Sequence, residues 1–207
     1  MIEYALPNPP QLALWQRTTL GLAALAGWTV DISVDVPPRC VIIGAHHTSV
    51  TDVLAAVVLM GAGVDLQVVV KGEAFRWPTR RLFTALHALP VQRHSRSGFV
   101  DQMVRAFAER DVLRLAICPE GTRKAESHWK TGFYHIAVGA RVPIVFGYAD
   151  YPRKEAGIGG YLMPSGDIAA DFEVIRRFYA GIQGRFPDRQ SDICVPPDRN
   201  PVSQPLD

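Results

Sequence analysis

Short apolar, β-branched runs alternate with helix-length segments from residue 40 onward, and no other feature restricts the fold as much. Residues 40–45 (CVIIGA) read as a buried strand, and 52–60 as a helix that stops at Gly61. Strand 66–70, helix 78–87 with proline at its start, and short strand 89–92 follow. Helix 97–110 has Ser97 as its N-cap and apolar residues at Phe99, Met103, Val104 and Phe107. Strand 113–118, helix 132–140, strand 142–148 and helix 171–182 complete the pattern. Strands that are apolar throughout are buried on both faces, as in parallel sheets. The expected fold is therefore α/β: one domain, with a mostly parallel sheet flanked by helices. In such sheets ligands gather beyond the carboxyl ends of the strands.

The chain divides into an N-terminal segment (1–36), a central domain (37–186) and a Pro-rich tail (187–207) with five prolines, expected to be extended or disordered. The N-terminal segment holds an apolar or amphipathic helix with Leu12, Leu14, Trp15, Leu20, Leu22 and Leu25. Its apolar stretch 20–30 has eleven residues, short of the roughly twenty that span a bilayer. Such a helix either caps the core or lies in a membrane interface. The first ten residues, with Glu3 and three prolines, lack the basic region of a secretory signal.

With 207 residues, 48% of them hydrophobic and 20% charged, the chain can bury a core without disulfides, and disorder or coiled coil is excluded as its main state. Cys40, Cys118 and Cys194 are scattered and odd in number, so they form neither a disulfide framework nor a zinc cluster, and they fit a reducing compartment. A net charge of +2 is too mild for a nucleic-acid binder. The charge is uneven, however: residues 71–130 carry twelve Lys/Arg against six Asp/Glu. A basic middle suits an anionic ligand or surface, or simply a solvated face.

The segment 44–52 (GAHHTSVTD) follows the first central strand. His47 and Asp52 are five apart, so on one helix their side chains would point roughly 140° apart. They meet only if the chain turns between them, as a strand-to-helix loop does. A carboxylate beside an imidazole fixes its tautomer and stabilises the imidazolium, which suits general-base work. Asp52 acting only as a helix cap is the alternative. His46-His47 has no further ligand cluster beside it, so no metal is expected.

Read together with Cys118-Pro119-Glu120-Gly121-Thr122-Arg123, this loop resembles the glycerolipid acyltransferase family, typified by 1-acyl-sn-glycerol-3-phosphate acyltransferase. His47, Ser49 and Asp52 match Asn-His-x-Ser-x-x-Asp, with His46 in place of the asparagine. Residues 118–123 match Phe-Pro-Glu-Gly-Thr-Arg at five of six positions, with Cys118 in place of the aromatic. Leu89-Pro90-Val91-Gln92-Arg93 and Val142-Pro143-Ile144-Val145 resemble two further blocks of that family in the same order, although Phe146-Gly147 replaces the usual Pro-Val.

The resemblance implies an O-acyltransferase that acts at a membrane surface, peripheral on the cytoplasmic face. It implies a fatty acyl chain moved from acyl-CoA or acyl-carrier protein to a lysophospholipid-like acceptor, with no tightly bound cofactor and no acyl-enzyme. His47 would be the base and Asp52 its orienting partner. Ser49, outside a nucleophile-elbow setting, would support the loop. Arg93 and Arg123, joined by Lys71, would hold an acceptor phosphate, because guanidinium pairs bidentately with phosphate. Glu120, Gly121 and Thr122 would shape the acceptor site, with Glu120 holding either the loop or the acceptor. A non-catalytic lipid-binding module of the same fold, and a thioesterase using the same base on water, are the competing readings.

Overall fold

The computed structural model describes residues 12–71, 89–91 and 96–197. A seven-stranded sheet in the order β1-β7-β6-β2-β5-β3-β4 runs through the molecule. Its strands are β1 (Thr29–Ile32), β2 (Arg39–Ala45), β3 (Gln67–Lys71), β4 (Leu89–Val91), β5 (Leu113–Ile117), β6 (Ile144–Asp150) and β7 (Glu155–Leu162). Strands β6, β2, β5, β3 and β4 are mutually parallel. β7 pairs antiparallel with β6, and β1 runs parallel to β7. The sheet is thus mostly parallel, as the alternation of elements requires.

Successive side chains of a strand point to opposite faces, and β2 divides the core accordingly. Val41, Ile43 and Ala45 join a cluster with Met103, Phe107, Trp129, Phe133, Ile136, Phe172 and Tyr179. These come largely from helices α3 (Arg96–Ala108), α4 (Gly132–Ala140) and α5 (Ile168–Tyr179). Cys40 and Ile42 face a second cluster with Leu59, Met60, Val145 and Ile158. Leu59 and Met60 lie on α2 (Val53–Gly61), and α1 (Leu14–Leu25) packs outside it without a single buried residue.

The helix read at 171–182 starts earlier, at Ile168, because Asp167 accepts from the N–H groups of Ala169 and Ala170 and caps it. Strands β1 and β7 are additional to the strands read from the sequence. β7 is glycine-rich and weak in intrinsic strand preference. Those glycines make room: a Cβ at Gly157 would collide with the Asp31 carbonyl and the Tyr148 ring, and one at Gly159 with Phe178. Over 187–197, the first part of the tail read from the sequence, the chain lies against the domain. Ile193 and Val195 pack on the core, and the Trp129 backbone N–H donates to the Cys194 carbonyl. The helix expected at 78–87 falls outside the described residues.

The parallel direction brings the carboxyl ends of β5, β2 and β6 together on one edge. Ile43 aligns with Ile117, and Ala45 aligns with Tyr148. The loops leaving these three neighbouring strands carry residues 46–52, 118–123 and 151.

Candidate active site

Where β2 ends, Ser49 is extended (φ −140°) and a short 3-10 turn, Val50–Asp52, leads into α2. The Ser49 hydroxyl accepts from the Thr51 N–H at 3.2 Å, which starts the turn. Asp52 reaches back across it. Its Oδ2 accepts from the N–H groups of Thr48 and Ser49, each at 2.8 Å. The same oxygen lies 3.1 Å from His47 Nδ1. The bend needed to join an imidazole and a carboxylate five residues apart is therefore present. Asp52 does not cap α2 directly, and one carboxylate closes the loop while touching the imidazole.

Burial pushes the Asp52 carboxyl up. Hydrogen bonds from His47, the Ser49 N–H and the Tyr151 hydroxyl outweigh that effect and, with the His47 charge, hold it below the ordinary carboxylate range. Beside an ionised carboxylate, Nδ1 is the nitrogen that carries the proton, which leaves a lone pair on Nε2. A quarter of the His47 side chain is open to solvent, at 26%.

Glu120, from the turn after β5, is 1% exposed. Its Oε2 accepts from the His47 N–H at 2.6 Å, and its Oε1 lies 3.4 Å from His46 Nδ1. Of the two roles open to Glu120, holding the loop or the acceptor, its contacts here are with the His46–His47 loop, where it is buried. His46 is buried too and meets the Tyr179 ring edge-on. The Tyr179 hydroxyl in turn bonds the Ile43 and Gly147 carbonyls, which ties β2 to β6 beneath the loop.

Gly121 adopts φ +65° in a turn closed by its N–H on the Cys118 carbonyl. A Cβ there would be strained and would collide with the Lys130 side chain. Thr122 follows, its hydroxyl accepting from the Lys124 N–H at 3.4 Å. Arg123 is exposed and has no ion-pair partner among the described residues. Cys118, which follows a buried strand, is exposed rather than part of the core, whereas Trp129 is fully buried. The Lys71 backbone ends β3 on the same edge of the sheet. Arg93 lies outside the described residues.

Two contributors escaped the sequence reading. The Tyr151 hydroxyl donates to Asp52 Oδ1 at 2.7 Å and lies 2.8 Å from Thr51 Oγ1. Arg185 donates to the same Thr51 oxygen at 3.0 Å. Tyr151 immediately follows β6, so the rule that ligands collect at strand carboxyl ends would have pointed to it. Arg185 carries no comparable local signal, because only the return of the chain after α5 brings it here. Among the described residues no group of His, Cys, Asp or Glu is arranged to hold a metal ion.

Residues 29–146 match the acyltransferase family. The structure resembles the crystal structure of the 1-acyl-sn-glycerophosphate (LPA) acyltransferase PlsC from Thermotoga maritima, with a TM-score of 0.52 and 17% identity, covering 80% of this chain and 75% of that one. At that identity the likeness is one of fold. No curated protein matches the chain at a significant level. The family match spans more than half of the sequence and includes both the His47–Asp52 loop and the turn that clamps it, and the chain belongs to the acyltransferase family.

Proposed function

We propose that the chain is a glycerolipid O-acyltransferase that works at a membrane surface, moving a fatty acyl chain from a thioester donor to the hydroxyl of a lysophospholipid-like acceptor. The observation that supports this most is the His47 Nδ1 contact with Asp52 at 3.1 Å, on an open edge of the sheet. In this reading Nε2 of His47 takes the proton of the acceptor hydroxyl as its oxygen attacks the thioester carbonyl. The tetrahedral adduct collapses, the C–S bond breaks, and the leaving thiolate receives the proton from the imidazolium. An ester forms, a thiol leaves, and no acyl-enzyme is needed. General-base assistance of this kind contributes about 10²- to 10⁴-fold.

The donor is acyl-CoA or acyl-carrier protein. Arg123, with Arg93 and Lys71, holds the acceptor phosphate, and Gly121 and Thr122 let its oxygens approach the backbone of their turn. Glu120 and Ser49 keep the loop in shape.

A surface helix supports action at the membrane. Leu14, Trp15, Leu22 and Leu25 are all exposed on α1, at 80%, 52%, 63% and 87%. At 100° per residue they fall within about 100° of one another. Val50 in the 3-10 turn of the His47 loop, and Val53 and Leu54 at the start of the neighbouring α2, are exposed too. No helix among the described residues is long and apolar enough to cross a membrane. An apolar face of this kind lies along the interface, and it would put the base close to the headgroups. In this reading the protein is peripheral, on the cytoplasmic face of the membrane.

The test is acyl transfer by the purified protein with a panel of thioester donors and lysolipids, beside His47→Ala. Turnover that drops at least about 100-fold in the variant is the expected result. Full activity in the variant, or release of free fatty acid that ignores the acceptor, overturns the reading.

A further inference from the structure

Asp52 has two carboxylate oxygens, and the contact with His47 engages only one. Oδ2 faces His47 Nδ1 and the N–H groups of Thr48 and Ser49. Oδ1 accepts from the Tyr151 hydroxyl at 2.7 Å. That donor comes from a different strand end, one residue past β6, the neighbour of β2 in the sheet.

We propose that Tyr151 is a positioning residue for the base. Its hydroxyl, held on Asp52 Oδ1, sets the orientation of the carboxylate and the negative charge that His47 experiences. The consequence for turnover rests on the acyltransferase reading above. The consequence for the imidazole itself rests on geometry alone.

The ring is held on several sides. It meets Trp28 edge-on at 5.1 Å, and the Tyr151 N–H donates to the Gln183 carbonyl at 3.0 Å. Its hydroxyl also touches Thr51 Oγ1, which is anchored in turn by Arg185 and by the Ser49 hydroxyl at 2.9 Å. Tyr151 thus gathers the start of β1, the loop after α5 and the turn before α2 onto one carboxylate oxygen. Burial, with the nearby Asp52 charge, pushes the phenol up to about 12, against the opposing influence of Thr51 and Arg185. The phenol therefore stays protonated, and a donor, throughout the neutral range.

The groups that bear on the His47–Asp52 pair are Tyr151 from the end of β6, Glu120 and Cys118 from the turn after β5, His46 within the loop, and Arg185 through Thr51. None of the others donates to Oδ1 among the described residues. A hydroxyl that donates to a carboxylate draws charge from it. Without that donor the carboxylate is more basic, it stabilises the imidazolium better, and His47 titrates at higher pH.

The experiment compares the full chain with Tyr151→Phe. It reads kcat and KM across pH, and the His47 imidazole titration by NMR, assigned by its loss in His47→Ala. The expected result is kcat lower by on the order of 10-fold with KM for both substrates within about twofold. The acidic limb of the rate profile and the imidazole titration both move to higher pH by roughly half a unit to one unit. A chain with 3-fluorotyrosine at position 151 keeps the ring and its packing but makes the hydroxyl a stronger donor. It moves the titration the opposite way, and it serves if the phenylalanine variant folds poorly.

A His47 titration that is the same in the wild type and in the folded variants overturns the proposal. Loss of kcat with an unmoved pH profile does so as well, because a merely structural role predicts that outcome. If the wild type transfers no acyl group, the functional reading fails by itself, and the imidazole titration still decides this inference.

Discussion

A single carboxylate carries most of the local order of the site. Four donors converge on Asp52: His47 Nδ1, two backbone N–H groups and a phenol. Its acidity is lowered by these bonds against the pull of burial. The sign of the resulting stability follows from the linkage between protonation and folding. A carboxyl that is more acidic folded than unfolded stabilises the fold above the unfolded value of about 3.9, and that contribution disappears as pH falls through the folded value. Replacing Asp52 by Asn removes a titrating group, so thermal stability of the variant should fall less steeply than that of the wild type as pH is lowered below about 4. Melting temperature measured against pH tests this. Parallel curves would show that the Asp52 bonds carry little of the acid sensitivity. At neutral pH the Asn variant should also lose acyl transfer, because a neutral amide no longer supplies the negative charge that stabilises the imidazolium.

Among the elements, α1 is the least committed to the core. It touches α2, buries nothing fully and leaves four large apolar side chains in solvent. Substitutions on its outer face should therefore change membrane binding without changing the fold. Leu22→Asp with Leu25→Asp is expected to reduce flotation with anionic phospholipid vesicles severalfold while melting stays within about 1 °C, since exposed positions are usually within ±0.5 kcal/mol. A large loss of stability would instead mark α1 as a cap on the core. Elements also differ in how visible they are in the sequence. β2 and β6 read plainly, because burial on both faces demands uninterrupted apolar runs. β7 did not, because its glycines serve the close approach of Asp31, Tyr148 and Phe178, all contributed from elsewhere in the chain.

At the scale of the whole molecule, the chain after α5 returns to the site. Gly184 packs so closely on Thr48 that a Cβ there would collide with its hydroxyl, and the Phe186 N–H donates to Thr48 Oγ1 at 3.2 Å. Further on, Ile193 and Val195 reach the aromatic cluster around Trp129. Truncation after residue 186 should therefore uncover core surface and lower stability by about 2 kcal/mol or more, the scale of burying one or two aliphatic side chains. Thermal melting of the truncated protein tests this, and an unchanged melting temperature would show that the segment lies on the domain without stabilising it.

Local information determined the alternation of strands and helices, the loop able to join His47 to Asp52, and the glycine at the Glu120 turn. Each depends on residues a few positions apart, within reach of propensity and turn chemistry. Tertiary structure alone decided that Glu120 turns inward onto the His47 backbone, that Tyr151 occupies the second oxygen of Asp52, and that Arg185 arrives through Thr51. These contacts join residues between 73 and 134 positions apart. The order of the strands, which sets β5 and β6 on either side of β2, and the return of the chain after α5 close such distances, and no periodicity along the chain encodes them.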